Sequence, residues 1–350
     1  MHYLLILIML LASVNYAAAE KLYVVERERE AIAVVDNGKV SEIENLGSMN
    51  HALVKFDAGA AYVVGRDGFF SHIDTKTDKL VKRVKVGSSG IGFTSCNDYI
   101  AVANYDPKDV VILDRKLNIA KKIETGSRNV GIKCLDNLLV FSLMDKDEIW
   151  VLDAKKDFKQ VKAIKTGGEM PFDALLTGDT YVAGFFKGGV ALLDLKDFKY
   201  NEKIIMAGQQ TVFKIPHFGT WGVAGQRAYI PAVGENKLII IDTKDYTYTG
   251  SIELTGLPVF VVVSPDGKYL AVNYSGDKDN YVTIIDLKDN KVLKNIDAGK
   301  RIMHLRFSGD GKTLYASAYF ENMVKTIGKD TWAVRDWVSV PTPSGIFIVQ

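Results

Sequence analysis

Short apolar, β-branched segments separated by polar turns follow one another along almost the whole chain. Most of the clearest segments end in Asp, and the copies are AVVD (Asp36), SHID (Asp74), VILD (Asp114), WVLD (Asp153), ALLD (Asp194), IIID (Asp242) and TIID (Asp286), with a degenerate KTIG ending at Gly328. Successive copies lie 38, 40, 39, 41, 48, 44 and 42 residues apart. A period of this size made of short strands is typical of four-stranded propeller blades. Eight copies therefore predict an all-β, eight-bladed β-propeller.

Each repeat unit predicts four strands. An apolar innermost strand such as Val261–Ser264 is followed by a second such as Tyr269–Val272, then by the Asp-ended third and by a fourth such as Lys291–Ile296. The chain enters the repeat on a second strand, Leu22–Val25, and ends on an innermost one, Gly345–Val349. We therefore expect blade 1 to be closed by strands from both termini. Such closure removes the open sheet edge that invites aggregation.

This topology predicts which residues share a face. The linkers entering the innermost strands and the hairpins joining second to third strands lie on one side, which we call the mouth. Candidate ligand-binding residues on it are Arg27, Arg66, Asn104, Tyr105, Phe185, Arg128, His217 and Arg301. Alignment of the innermost strands on their turns puts His51, Ile91, Val130, Phe172, Trp221, Phe260, His304 and Ile346 at one level. The longest unit carries extra residues around Gly208–Pro216, where a lid or binding loop is expected.

Each of these side chains also has a structural interpretation. Aromatic residues such as Phe172, Trp221 and Phe260 can pack between blades. A lone histidine at a strand start is often a hydrogen-bonded structural group. The alternating charges from Glu26 to Glu30 suit a solvated hairpin.

Composition excludes several classes of function. Lys and Arg total 44 against 42 for Asp and Glu, and these charges are scattered, so nucleic acid is not an expected partner. With only Cys96 and Cys134, the chain lacks zinc ribbons, iron–sulfur clusters and a CxxCH site, so any haem must be held non-covalently. We expect the two cysteines to be separate buried residues, although an exported protein would allow them to pair. Phosphate-loop, nucleophile-elbow, HExxH and EF-hand motifs do not occur.

The beginning of the chain predicts export. An apolar run from Leu4 to Val14 is followed by Ala17-Ala18-Ala19-Glu20, with small residues where a signal peptidase reads. The run is shorter than the roughly 20 apolar residues of a membrane span. We therefore expect a secretory signal over residues 1–19 and a propeller domain over residues 20–350, periplasmic or otherwise exported and soluble after cleavage. An uncleaved anchor is the alternative.

The candidate chemistry of the mouth suits a flat iron tetrapyrrole. Aromatic walls can hold a macrocycle, Arg27, Arg66, Arg128 and Arg301 can pair with its carboxylates, and imidazoles can ligate iron.

Longer motifs in chain order resemble a known family. They are GRDG (65–68), NYDP (104–107), SLMDKDEIWVLD (142–153), PFDALLTGD (171–179), YVAGFFKGGVALLDL (181–195), KIPHFGTWGVAG (214–225), YIPAVG (229–234), LPVFV (257–261) and PSGIF (343–347). They are similar to the NirF family of exported haem d1 biosynthesis proteins, which is related to the haem-d1-binding propeller of cytochrome cd1 nitrite reductase. The resemblance covers essentially the whole predicted propeller.

The resemblance implies binding of haem d1, or of a late precursor of the dihydro-haem d1 type, near the end of cofactor maturation. Carried over by motif, the residues around the tetrapyrrole are Glu26, Arg27, His51, Arg66, Asn104, Tyr105 and His217. His51 and His217 are the candidate catalytic residues and iron ligands. Other haem d1 maturation proteins and the nitrite reductase are the implied protein partners. The resemblance leaves open whether this protein is an enzyme of a late side-chain-modifying step or a carrier. It also leaves open whether the protein is a monomer or a homodimer.

Nitrite reduction itself is not expected. The CxxCH site of an electron-delivering c-type haem does not occur, and the segment aligned with the reductases' second catalytic histidine reads Leu257-Pro258-Val259-Phe260. Only His304 offers another imidazole there.

Two alternative functions remain. One is a propeller scaffold that binds a protein or peptide and holds no cofactor. The other is a calcium-dependent lactonase, which needs inward carboxylate ligands that the aligned innermost strands do not offer.

Overall fold

The computed structural model describes residues 20–167, 170–185, 188–207, 210–211, 218–232 and 234–350. The predicted signal segment 1–19, the candidate ligand His217 and most of the predicted loop at 208–216 lie outside the described residues.

Eight four-stranded antiparallel sheets form the blades of a β-propeller, as the repeat predicts. From the innermost strand to the outermost, blade 1 contains Pro343–Ile348, Leu22–Glu26, Ala31–Asp36 and Lys39–Ile43; blade 2 contains Leu53–Asp57, Ala60–Val64, Phe69–Asp74 and Lys79–Lys85. In the same order, blade 3 contains Ser89–Ser95, Tyr99–Asp106, Asp109–Asp114 and Ile119–Glu124; blade 4 contains Asn129–Leu135, Leu138–Leu143, Glu148–Asp153 and Lys159–Lys165.

The second half of the molecule repeats the arrangement. Blade 5 contains Pro171–Thr177, Thr180–Phe185, Val190–Asp194 and Tyr200–Lys203; blade 6 contains Gly222–Ala224, Arg227–Pro231, Lys237–Asp242 and Thr247–Glu253. Blade 7 contains Leu257–Val263, Tyr269–Ser275, Tyr281–Asp286 and Lys291–Asp297; blade 8 contains Ile302–Phe307, Thr313–Ala318, Met323–Gly328 and Val334–Ser339. A small hairpin, Met206–Ala207 with Gln210–Thr211, lies between blades 5 and 6.

Helical structure in the described residues is limited to single 3₁₀ turns. They are Met144–Lys146, Ala154–Lys156, Phe218–Thr220, Gly276–Lys278 and Tyr319–Glu321. In the same part of the chain, a helix with the length and apolar character of a membrane span does not occur.

Blade 1 is closed by strands from both ends of the described chain, as predicted. Leu22 pairs with Ile348 and Val24 pairs with Ile346. The apolar residues of this closure are buried against blade 8, where Val24 and Ile346 pack with Tyr315. Similar apolar clusters fill the spaces between the other blades, so the core is a ring of interfaces around the channel.

The Asp that ends most third strands has a local structural role. The carboxylates of Asp74, Asp114 and Asp286 each accept a hydrogen bond at 2.8 Å from the backbone N–H two residues later. Asp194 and Asp242 make the same contact. This turn satisfies backbone donors where each strand ends, which explains why the repeat is readable in the sequence.

The expectation about the cysteines is wrong, because Cys96 and Cys134 form a disulfide. Their Cα atoms are 6.1 Å apart, within the range for such a bond. The 38 residues that separate them are one fewer than the repeat of 39 between Asp114 and Asp153, and they lie close together at the ends of the innermost strands of the neighbouring blades 3 and 4.

Candidate functional site

The linkers and hairpins assigned to the mouth do lie on one face. The Arg27 N–H donates to Thr342 O at 3.0 Å, and the Met144 N–H donates to Arg128 O at 3.0 Å. The Tyr319 N–H donates to Arg301 O at the same distance. Each of these bonds joins a hairpin to an entry linker, so residues far apart in the sequence surround one opening.

Two arginines and a tyrosine from blades 2, 3 and 4 form a cluster on this face, which we call the arginine–tyrosine platform. The guanidinium carbon of Arg66 lies 5.4 Å from the centre of the Tyr105 ring, and that of Arg128 lies 5.8 Å from it. Such distances allow cation–π attraction. Burial raises the pKa of the Tyr105 hydroxyl, so Tyr105 is neutral at physiological pH.

An apolar floor accompanies the platform. Val130, Met144 and Phe172 are buried together, with Ile91 and Met170 partly buried against them. Tyr105 packs on the same cluster, so its ring connects the floor to the two arginines. A flat, largely apolar ligand with charged edges would find both kinds of contact here.

The two arginines of the platform differ in whether they already have a carboxylate partner. Arg128 donates to Asp145 Oδ1 through Nε at 2.8 Å and Nη2 at 2.6 Å, and Lys108 also pairs with Asp145. Although burial alone would raise it, these bonds hold the pKa of the Asp145 carboxyl well below its usual range. Arg66 forms no ion pair within the described residues, and its Nη1 atom is buried without a hydrogen-bond partner. A buried cationic donor without a partner is costly, so Arg66 is the better candidate for pairing with a ligand carboxylate.

The GRDG turn holds Arg66 in place. The Asp67 carboxylate accepts a hydrogen bond from the Ser48 N–H at 3.0 Å and so ties the turn to the linker that enters blade 2. Gly68 has a φ of +78°, and a Cβ atom there would lie 2.1 Å from the carbonyl oxygen of Gly87. The turn therefore requires glycine at this position, and its geometry fixes where the Arg66 side chain begins.

Further charged residues border the mouth on blades 1, 7 and 8. Arg27 lies 3.7 Å from Glu28, and Arg301 lies 3.7 Å from Asp279. Both are long pairs, which leaves these guanidinium groups able to turn toward a ligand. The structure thus brings all four predicted arginines to the mouth.

Glu26 is a fully buried carboxyl group at the edge of the mouth. Neither of its oxygens has a hydrogen-bond partner, and Arg29 Nε lies 3.5 Å away. Burial, aided by the charge of Glu42, raises the pKa of Glu26 to about 7. Glu26 therefore changes its protonation state near neutral pH.

The two described candidate histidines have different surroundings. His51 is exposed on the linker before blade 2, at a φ of +56°. The His304 ring lies 4.5 Å from the Phe260 ring and 5.9 Å from the Phe347 ring. Its Nδ1 accepts a hydrogen bond from the Ile346 N–H at 3.3 Å.

His304 is therefore a structural group and is unsuited to ligating iron. Burial, and secondly the charge of Arg306, lowers the pKa of His304 to about 3, so the ring is neutral. Because Nδ1 is the acceptor, the remaining proton is on Nε2, and that nitrogen has no lone pair to offer. Of the described histidines predicted for the site, His51 is the remaining candidate ligand.

The structure places two predicted site residues in the interior. Asn104 is fully buried and donates to Val86 O at 3.0 Å and to Asp109 Oδ1 at 2.7 Å. Phe185 is 1% exposed and packs in the core between blades 4 and 5. Direct contact of either side chain with a ligand is therefore not supported, because both are used in packing the blades.

The expectation of one aligned level of eight residues is wrong. Bulges in the innermost strands of blades 1, 3, 4, 5, 7 and 8 shift their register, and an alignment on turns does not account for them. The column separates into local groups: Ile91, Val130 and Phe172 form the apolar floor, while Phe260 and His304 pack together. Trp221 is 9% exposed and packs between blades 5 and 6.

Exposed apolar side chains also border the mouth on blades 7 and 8, beside the charged pair of Arg301 and Asp279. Leu257 and Val259 are exposed, and Phe320 is 68% exposed beside Tyr319. The arginine–tyrosine platform lies on blades 2, 3 and 4, away from these apolar side chains. The positive charge of the platform would attract an acidic group of a ligand to that part of the mouth.

Comparison with known proteins agrees with this architecture. The sequence model of the family described as the cytochrome D1 heme domain matches residues 18–350. Protein NirF of Stutzerimonas stutzeri is 30% identical over 351 residues, which cover 93% of this chain and 90% of that protein. Protein NirF of Pseudomonas aeruginosa is 31% identical over 352 residues, covering 92% and 89%.

A solved structure supports the fold. The structure described as dihydro-heme d1 dehydrogenase NirN in complex with DHE superposes with a TM-score of 0.80 at 19% identity, covering 94% of this chain and 75% of that one. The chain therefore belongs to the cytochrome D1 heme domain family, and within it to the NirF proteins. The resemblance inferred from the motifs is confirmed.

Proposed function

We propose that this protein binds haem d1, or a late precursor of the dihydro-haem d1 type, non-covalently in the mouth of the propeller during haem d1 biosynthesis. Family membership supports a tetrapyrrole ligand, and the fold is shared with a solved NirN complex whose name includes dihydro-heme d1. The side chains of the mouth provide the independent support.

The observation that carries the proposal is the arginine–tyrosine platform above its apolar floor. Arg66 has a buried Nη1 without a partner, beside the Tyr105 ring. A macrocycle carrying carboxylates would place its apolar surface on the floor and an acidic substituent against Arg66. Charge-assisted pairing of a carboxylate with a guanidinium is stronger than a neutral hydrogen bond.

His51 is the described residue that would hold the iron. Its imidazole is exposed on a mouth linker, and imidazole is a common axial ligand of haem iron. The iron tetrapyrrole would supply redox chemistry when bound. The chain itself would orient the macrocycle through the arginine–tyrosine platform and cover one of its faces with the apolar floor.

An exported location is part of the proposal. The apolar run and small residues before Glu20 are typical of a secretory signal. The Cys96–Cys134 disulfide is consistent with an oxidising compartment.

A titration tests the ligand and its position. The purified protein is titrated with haem d1 and separately with its dihydro form, and binding is followed by the change in the absorbance spectrum. We expect saturable binding, weakened about tenfold to a hundredfold by Arg66→Ala, since such a pair contributes about 1.5–3 kcal/mol. Arg335→Ala is the matched control, because Arg335 is exposed on the outermost strand of blade 8.

Two outcomes contradict the proposal at different levels. Absence of saturable binding with either tetrapyrrole would favour a scaffold that binds a protein or peptide. Saturable binding with equal dissociation constants for the wild type and Arg66→Ala would support a tetrapyrrole ligand. It would show that the arginine–tyrosine platform is not part of the binding site.

A further inference from the structure

A cavity of about 420 Å³ lies beside the channel, away from the mouth. It is lined by innermost strands of blades 6, 7, 8 and 1, and its side chains include Trp221, Val223, Phe260, Val262, Arg306 and Ile348. Pro265 and Gly309 also border it, and they belong to turns between innermost and second strands. Those turns lie on the face opposite the mouth, so this lower cavity is separate from the platform.

Arg306 is the one charged side chain among the described residues that line this cavity. Its Nε donates to Ile346 O at 3.4 Å, and no carboxylate of the described residues forms an ion pair with it. The carboxylate of Glu20 lies next to Gly309, whose N–H donates to Glu20 Oε1 at 2.7 Å. Burial lowers the pKa of Arg306, but a guanidinium stays protonated at neutral pH. Most of its N–H donors therefore have no partner among the described residues.

A purely structural role explains Arg306 poorly. Lys55 occupies the matching position on the innermost strand of blade 2, since it pairs with Tyr62 as Arg306 pairs with Tyr315. Its Nζ donates to Phe93 O of the next blade at 2.5 Å. That short bond joins two blades and uses the head group of the lysine. The corresponding bond of Arg306 is long and uses one of its five N–H donors. Most of the donors of the guanidinium are therefore able to bind a ligand.

We propose that the lower cavity is a second ligand site, which binds a small monocarboxylate with an apolar body. The planar guanidinium of Arg306 matches a carboxylate with two parallel hydrogen bonds. The Phe260 ring and Val262 provide an apolar wall, and the volume accommodates a ring-sized acid. A single cation among apolar side chains favours a singly charged carboxylate over a phosphate dianion.

Benzoate is the probe, and benzamide is its uncharged match. Binding of each to the full chain is measured by calorimetry and by the shift in melting temperature. We expect saturable benzoate binding that is at least tenfold tighter than benzamide binding. Arg306→Gln should remove this difference, while Arg66→Ala in the mouth should preserve it. Equal affinity for the two probes, or an unchanged preference in Arg306→Gln, would overturn the proposal.

Two further measurements test the proposal if the variant does not fold and if the tetrapyrrole reaches the lower cavity. If Arg306→Gln does not fold, crystals of the wild type soaked with 4-bromobenzoate locate the probe by its anomalous signal, and density only outside the lower cavity counts against the site. Protein loaded with haem d1 should still bind benzoate. Displacement of benzoate by haem d1 would overturn the proposal, because Arg306 would then pair with a carboxylate of the tetrapyrrole. Failure to bind haem d1 would contradict the proposed function and would leave the test of benzoate binding to the lower cavity unaffected.

Discussion

At the scale of single residues, the main distinction in the mouth is between charged groups that have partners and those that do not. In the sequence, Arg66 and Arg128 are equally good candidates for pairing with a ligand carboxylate, and in the structure each lies over Tyr105. Asp145, which comes from another hairpin, satisfies Arg128 and leaves Arg66 without a carboxylate. Only the three-dimensional arrangement separates them. Sequence reasoning misses Arg306 for a similar reason, since one arginine in the apolar strand Ile302–Phe307 is the only signal.

Glu26 leads to a prediction about pH. Its pKa is raised to about 7 in the folded protein, whereas in the unfolded chain it is near the ordinary 4.5. Between these values the folded state keeps a proton that the unfolded state releases, so this contribution to stability decreases as pH rises from about 4.5 to 7. We expect Glu26→Gln to remove that decrease and to be more stable than the wild type at pH above 7, by on the order of 1–3 kcal/mol.

Urea unfolding of both proteins across this pH range measures the effect. Glu30→Gln is the control, because Glu30 is exposed on the same hairpin. Parallel curves for the wild type and Glu26→Gln would show that Glu26 has an ordinary pKa.

At the scale of elements, the turns determine where the site residues lie. Gly68 and Gly59 are both in blade 2 with positive φ, but only Gly68 is close to another backbone, at Gly87. We expect Gly68→Ala to destabilise the protein by about 1–3 kcal/mol more than Gly59→Ala, because the clash adds to a similar backbone strain. Thermal unfolding of the two variants compares them directly. Equal losses of stability would mean that the turn relaxes around the added methyl group.

The disulfide joins two elements that are already neighbours. A bridge closing a loop of this size typically stabilises a fold by about 2–4 kcal/mol. We expect the double variant Cys96→Ala/Cys134→Ala to lose stability in this range, and a reducing agent to affect the wild type only. Denaturant unfolding with and without the reductant measures both. An equal response of the wild type and the variant to reduction would contradict a bond between these cysteines.

At the scale of the whole molecule, the sequence is most informative about the repeat. Eight blades follow from the spacing of the Asp-ended strands, because most of these Asp residues cap the same turn. Closure of blade 1 follows from the kinds of strand on which the repeat begins and ends. The bulges of the innermost strands have no comparable signal, so the relative heights of Trp221, His304 and Ile346 are not predictable. The cysteine pair is predictable in principle from its one-repeat separation.

Closure of the ring also links the two openings. The strand that completes blade 1, Pro343–Ile348, pairs with Leu22–Glu26. Ile346 bonds both His304 and Arg306, and Thr342 bonds the hairpin that carries Arg27. The walls of the mouth and of the lower cavity are therefore both complete only when this strand is in place. Local opening of this one strand would disturb both openings together, so the two would share the stability of a single seam.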